Sequence, residues 1–508
     1  KFDIKGAYTK QKYSEYTDYP YIRDEVTSSV AEILAEQTAK KNNREEEFKN
    51  DSDYRNELIE KSRIKFITGG YKVKTTLDKK LYDTLQETKK QFASYPTHTQ
   101  GGVVYPLEIG ASVIENSTGK VLAFIGGMDY KKQQLNHATR TRRSPGSTIK
   151  PLLVYGPAID KGYITPNSTV LDKRFNHYGW RPENYDMSER GYLPAREALA
   201  RSLNLPTVRL YSAFYKEDPV TNYLEKMGVE GLTESDKTNL ATAIGGMTYG
   251  LSVTENTSAF STFANKGEHK KAHIIEEIEN NDGELVYKAD FSPVKVFEES
   301  TSYLIVNMLG DVINKSYGLS HDMPSKLKFN SKNLFVKTGT SEYYNDLWVV
   351  GGSTKITVGL WNGYDSPAKV PSYDYAQRSW IAVMNAIYAL DKNLIAPDTA
   401  FSRPKSVVDA SINGYNNAKG GTKDIVPNGF KELSKEKTLA KFGYNIDKGI
   451  SFNDPSKVVV TKPVQKEEKK DDKDKKDKKE EKEERTVTIT ETPPPILKPT
   501  VITEEDEE

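Results

Sequence analysis

Cysteine is missing from the chain altogether. Its absence excludes disulfides, a thiolate nucleophile and thiolate metal sites. Apolar runs are short, and none is long enough to span a bilayer. An excess of either charge is also lacking: 73 Lys and Arg face 72 Asp and Glu, a formal net charge of +1. No overall field therefore draws the chain to nucleic acid or to anionic lipid. Histidine is scarce, with six residues at 98, 137, 177, 269, 273 and 321. No signal peptide stands at the start, and the first residue is Lys1 rather than Met. The chain reads as a fragment or processed product without its natural N-terminus. Aromatics are weighted to the polar side, 31 Tyr against 17 Phe, a balance suited to a broad, wet binding surface.

At 508 residues the chain exceeds one compact domain, and two to four regions are expected. Residues 1 to about 73 read as helical and polar, with tyrosines at 8, 13, 16, 19 and 21 and helical apolar spacing over Glu25–Glu36. Tyr71–Leu77 alternates like a strand, and Asp78 is placed to cap a helix reaching about Phe92. Leu107–Glu115 and Gly119–Ile125 are strand-like runs joined by an Asn116–Gly119 turn signal. A loop-rich stretch covers about 161–191. Helices are expected over Leu193–Asn204, over about 220–263 and over about 297–313. The period then changes to strand at Leu334–Ser341, Leu347–Val350 and Ile356–Trp361, and Trp380–Ala389 reads as an amphipathic helix covering the sheet. Early and late strands with helices between predict an α/β sandwich in which the first and last strands share one sheet. Lys466–Arg485 is an unbroken run of charged residues, and the segment after it carries Pro493–Pro495. This tail cannot bury a core.

Chemistry concentrates in a few short stretches. Arg143–Pro151 sets Ser147 three residues before Lys150, so on a helix the hydroxyl and the amine share a face. Pro145 and Gly146 precede the serine, and a helix start directs backbone N–H groups toward negative charge. Ser147 is thus a candidate nucleophile, Lys150 a candidate base, and the helix start a partial oxyanion site. Alone, Ser-x-x-Lys is a common chance spacing. Two further motifs follow in order: Ser202-Leu203-Asn204, and Lys337-Thr338-Gly339-Thr340 on a predicted strand. Glycine inside a strand is unfavourable unless another backbone must come close, which suits Gly339 to a strand that receives a substrate. None of the six histidines belongs to this set.

Ser-x-x-Lys, Ser-x-Asn and Lys-Thr-Gly in this order form the motif set of serine β-lactamases and penicillin-binding proteins. With Asn136–Thr139, Trp180–Asp186, Ala243–Gly246, Ser258–Asn265, Asp346–Trp348 and Trp361–Asp365, the sequence resembles the transpeptidase portion of a class A (bifunctional) penicillin-binding protein of Gram-positive type, over roughly residues 70–405. The resemblance implies an α/β (α+β) sandwich like that of penicillin-binding proteins and β-lactamases, an antiparallel sheet flanked by helices with small accessory regions. It divides the chain into a linker region at 1–105, a transpeptidase domain at 106–405, a small C-terminal module at 406–462 and a disordered charged tail at 463–508. The glycosyltransferase domain and membrane helix of the class are not found in the sequence.

The resemblance further implies a D,D-transpeptidase that cross-links peptidoglycan stem peptides through a serine acyl-enzyme and is acylated by β-lactams. Ser147 would attack the penultimate D-Ala carbonyl, and Lys150 would take its proton if burial and the charge of Lys337 keep it neutral. Ser202 would relay a proton to the leaving amine, and Asn204 would hold the peptide amide. Lys337 would attract the terminal carboxylate, with Thr338, Gly339 and Thr340 completing the substrate strand. The N–H groups of Ser147 and Thr340 would form the oxyanion hole. No cofactor or metal is expected. Expected partners are stem peptides, β-lactams and cell-wall or division proteins, with no nucleic acid. The expected location is the outer face of the bacterial cytoplasmic membrane, through an anchor outside this sequence. Two other readings use the same motifs. A serine β-lactamase would need a deacylating glutamate, and no Glu-x-x-Leu-Asn pattern lies between Asn204 and Lys337. A penicillin-sensing receptor domain would be acylated and signal.

Overall fold

The computed structural model describes residues 19–411 and 423–430. Tyr8, Tyr13 and Tyr16, most of the expected module at 406–462 and the whole charged tail lie outside the described residues.

Five strands make the central sheet: β1 (Glu108–Glu115), β2 (Val121–Ile125), β3 (Phe335–Thr340), β4 (Asp346–Gly352) and β5 (Ile356–Gly363). Their order is β3-β4-β5-β1-β2, and every neighbouring pair is antiparallel. The hairpin from early in the chain therefore completes a sheet begun late in it, and β3 is left as an edge.

Alternation along each strand sends side chains into two separate cores. Val336, Leu347, Val349, Val358, Leu360, Ala111 and Val113 face one way. There they meet Leu81 and Leu85 of helix α1 (Lys79–Lys89), and Trp380 and Ile387 of helix α6 (Asp374–Leu390). Asp78 caps the first of these helices by accepting from the Leu81 N–H at 2.9 Å. On the other face Phe335 and Val350 join a core with Phe260, Leu304 and Leu309. Those residues come from helices α4 (Val253–Ala264) and α5 (Glu299–Asn314). The start of α4 carries a full capping box between Ser252 and Glu255. The same core takes in Ile149 and the apolar run Leu152–Tyr155, which follow Ser147.

Further helices at Pro20–Lys41 and Ser52–Thr68 precede this body. The first docks on it through Glu25, buried against Arg140 at 2.8 Å and Asn136 at 3.1 Å. Residues just upstream of the Ser147 stretch are thereby tied to the helical region read from sequence as linker. Strand Val407–Ser411 pairs with Lys423–Pro427, and Arg196 binds Asp424 at 2.7 Å.

Four local expectations are corrected. The stretch around Ser147 is not one regular α-helix. A 3-10 turn at Gly146–Thr148 leads into a π-helical segment at Lys150–Tyr155 and then α-helix at Gly156–Asp160. Pro151 has no N–H to give to a regular ladder, and wide turns of this kind recur at functional sites. Leu193–Asn204 is likewise not one helix. It splits into α2 (Ala195–Ala200) and α3 (Asn204–Ser212), with Ser202 between them in a left-handed conformation, φ +55°. The region 220–263 breaks into short helical pieces because Gly228, Gly231, Gly245 and Gly250 all take positive φ. The stretch at 161–191 also contains a fully buried strand, Thr169–Asp172, paired with Gly191–Pro194.

Trp380 is fully buried and its indole N–H donates to the Val358 carbonyl at 3.0 Å. Trp380→Ala should lower the unfolding free energy by about 3–5 kcal/mol, read by denaturant titration; a change within about 0.5 kcal/mol would show that α6 does not anchor on the sheet.

Candidate active site

Three parts of the chain meet at one end of the sheet. Ser147 is half-buried in the 3-10 turn, one residue past Gly146 at φ +50°. A Cβ built on Gly146 would collide with the carbonyl of Thr340, and one on Gly339 would collide with the Pro145 carbonyl. Glycine at both positions lets edge strand β3 lie backbone to backbone against the turn. The turn is held from other sides as well. Ser144 Oγ donates to the Gly245 carbonyl at 2.8 Å, Trp348 Nε1 donates to the Ser144 carbonyl at 2.8 Å, and Asn256 Nδ2 donates to Thr148 Oγ1 at 2.9 Å.

Beneath the turn lie two lysines with no exposed surface, Lys150 and Lys337, both 0% accessible. Lys150 Nζ donates to the Ser202 carbonyl at 2.6 Å and to Asn204 Oδ1 at 2.7 Å, with Ser202 Oγ at 3.5 Å. Lys337 Nζ donates to Ser202 Oγ at 2.8 Å and to the Thr338 carbonyl at 2.8 Å. Among the described residues neither lysine has a carboxylate within ion-pair distance. Burial pulls the Lys150 amine well below the ordinary lysine range, and the neighbouring Lys337 charge pulls it further. Burial alone brings Lys337 down to about 7. A neutral lysine has two N–H donors and one lone pair. On Lys150 both donors are spent, which leaves the lone pair to accept a proton.

Four of the sequence-derived residues, Lys150, Ser202, Asn204 and Lys337, thus share one connected set of hydrogen bonds. Ser147, Gly339 and Thr340 are brought alongside by backbone packing. Lys337 does not present its ammonium at the surface, as a direct carboxylate-binding role would require. It ends on Ser202 inside the protein. Thr338 and Thr340 stand at alternate positions to Lys337 on the strand and are half-exposed.

Sequence reasoning gave no role to several residues that build this centre. Asn204 Nδ2 donates to the Glu183 carbonyl at 2.7 Å, and its backbone N–H donates to Asn184 Oδ1 at 2.8 Å. Both partners lie in the Trp180–Asp186 stretch, whose aromatic and polar composition was the available signal. His137 is fully buried, 2.7 Å from Asp365 and 2.9 Å from the Gly126 carbonyl. With an acceptor on each ring nitrogen, the imidazole is pushed above its ordinary value although burial opposes this. It stacks on Trp361, and the guanidinium of Arg143, four residues before Ser147, lies 5.1 Å from the ring centroid of the same tryptophan.

A half-buried hydroxyl in the turn, two buried amines gathered on Ser202 and an adjacent strand edge are the parts that a nucleophilic serine uses. Comparison with known proteins narrows this. The family model "Penicillin binding protein transpeptidase domain" matches residues 109–371, and the chain belongs to that family of serine acyltransferases. Penicillin-binding protein 4 of Bacillus subtilis is 30% identical over 370 residues, 73% of this chain and 55% of that protein. The chain spans about half the length of the curated relatives it matches. The fold is shared with penicillin-binding protein 1A from Haemophilus influenzae, at a TM-score of 0.59 and 18% identity over 75% of this chain and 76% of that one. It is shared also with the PonA1 protein from Mycobacterium tuberculosis in complex with penicillin V, at 0.54 and 18% over 69% and 93%.

Gly146→Ala tests the contact between turn and strand. The added methyl meets the Thr340 backbone at a positive φ, so the variant should lose more than about 1 kcal/mol of stability and most of its acylation by penicillin. Parent-like acylation would show that the close approach is dispensable.

Proposed function

We propose that the chain carries the D,D-transpeptidase activity that joins peptidoglycan stem peptides, with Ser147 as nucleophile and Lys150 as base. The observation that carries this reading is the fully buried Lys150 amine with both its donors committed. Lys150 stands three residues after Ser147 on the same turn, whereas Lys337 is turned to Ser202 and the Thr338 carbonyl.

On this reading the stem peptide, ending in D-Ala-D-Ala, lies along the free edge of β3 as an added strand. Lys150 accepts the proton as Ser147 Oγ bonds to the penultimate carbonyl carbon. The N–H groups of Ser147 and Thr340 hold the oxyanion, each worth about 3 kcal/mol. The amide C–N bond then breaks, and the proton passes through Ser202 to the departing D-Ala nitrogen. Lys337 keeps the Ser202 hydroxyl oriented and, when protonated, adds positive field behind the Thr338 and Thr340 hydroxyls that receive the terminal carboxylate. An amine of a second stem peptide next attacks the ester, gives up its proton and regenerates Ser147. Asn204 keeps one amide hydrogen to donate to the substrate peptide. A β-lactam would follow the first half of this path, and its tethered leaving group would stop the second. The site's natural setting is the outer face of the cytoplasmic membrane, as the cell wall requires.

Labelled penicillin should add one equivalent to the parent chain and none to Ser147→Ala, read by intact mass and peptide mapping. A label on any peptide lacking Ser147 would remove the assignment. The pH dependence gives a second check. The active base is the neutral amine, and its affinity for protons lies well below 10.5. The acylation rate should therefore fall toward acid and reach its plateau well before pH 10.5. A rate that keeps climbing through the ordinary lysine range would contradict a pre-neutralised base.

A further inference from the structure

Asp172 ends the short strand Thr169–Asp172 and has no exposed surface. Its Oδ1 accepts from Asn184 Nδ2 at 2.7 Å, and its Oδ2 accepts from the backbone N–H of Arg190 at 3.0 Å. Asn184 Nδ2 also donates to the Ser188 carbonyl at 2.8 Å. Both carboxamide hydrogens are thereby committed, and Asn184 can turn only one way. Its oxygen then accepts from the backbone N–H of Asn204 at 2.8 Å and of Leu205 at 3.3 Å. Asn204 Oδ1 in turn accepts from Lys150 Nζ at 2.7 Å. One uninterrupted path runs from a buried carboxylate to the amine: Asp172, Asn184, Asn204, Lys150.

We propose that Asp172, acting through Asn184, is a positioning residue that aims Asn204 at Lys150 and keeps a negative charge behind that amine. The inference rests on the reading of Lys150 as base. Two features separate this from ordinary scaffolding. The anchor of the path is a fully buried carboxyl group that accepts from Asn184 on one oxygen and from the Arg190 N–H on the other, and burying a carboxylate is costly. The carboxylate also lies within electrostatic reach of Lys150, where its attraction for the proton opposes both burial and the Lys337 charge.

The other groups facing these two are few. Lys337 faces Lys150 from β3. Arg190 faces Asp172 with its side chain at 3.6 Å, and the buried Tyr155 hydroxyl, paired with Thr207 at 3.2 Å, lies on the segment after Lys150. Removing the negative charge lowers the amine's hold on its proton. The neutral form then persists to more acid pH, and the acid limb of the acylation profile moves down.

Two variants of the full chain test the two halves. Asp172→Asn keeps the shape and loses the charge. Its acid limb for penicillin acylation should move down by about half a pH unit or more. Asn184→Ala keeps Asp172 but cuts the path. It should slow acylation by on the order of tenfold to a hundredfold, with the limb in place and the melting curve still cooperative. Asp172→Asn acylated more slowly with no movement of the limb would overturn the proposal, as would Asn184→Ala acylated at the parent rate. Should Asp172→Asn fail to fold, the Asn184→Ala result alone still decides the positioning half. In every variant the label is mapped. If it leaves Ser147, the reading of the site has failed; if it stays on Ser147 and the limb and rate are unmoved, only this inference has.

Discussion

Two lysine amines buried on one serine, without a carboxylate partner among the described residues, are the constraint around which the rest is arranged. Such burial is expensive for a charged amine, so the protein holds them short of full protonation. The cost appears as a pH dependence of stability. For Lys337 the unfolded chain holds its proton to about 10.5 and the folded chain only to about 7. Below pH 7 the full penalty is present, and it is relieved as pH rises between those values. Function and stability are therefore set against each other at this point. The two cores on either side of the sheet are what make the arrangement tolerable.

The centre is assembled from places where regular structure gives way. Ser147 sits in a tight turn before a wide one, Ser202 holds a left-handed backbone between two short helices, and β3 ends at a turn where Tyr343 and Tyr344 are both left-handed. Conformations of this sort cost about 1–3 kcal/mol each and persist only where surroundings over-determine them. Here the surroundings are identifiable. Gly146 and Gly339 allow contact between turn and strand, and the Glu183–Asn184 loop fixes Asn204. The left-handed turn at Ser202 lets its carbonyl meet Lys150 while its hydroxyl meets Lys337.

Much of this was legible in the sequence, and what was not has physical reasons. The three motifs, the early hairpin, the late strands and the helix around Trp380 all rest on local signals: spacing, turn residues and periodicity. The sheet order was half legible. That the first and last strands share a sheet followed from their separation, but the order β3-β4-β5-β1-β2 depends on contacts between residues over 200 apart. The break at Ser202 was hidden because its neighbours Ala198, Leu199, Leu203 and Leu205 are spaced as in one helix, and only tertiary contact explains the left-handed residue. Asp172 and Asn184 lay in a stretch without periodicity, where a buried carboxylate looks the same as a surface one. Lys337 was legible as a site residue but not as a buried one, because a strand facing a polar centre shows no apolar alternation there.

The proposed acyl transfer turns on the protonation state of Lys150 in the resting protein. A pH titration of the lysine Nζ resonances by nitrogen-detected NMR, with the Lys150 signal identified by its loss in Lys150→Arg, observes that state without any substrate. The structure predicts a midpoint for Lys150 well below 10.5. A midpoint at or above 10.5 would mean a resting ammonium, unable to take the Ser147 proton, and would contradict the account at its centre.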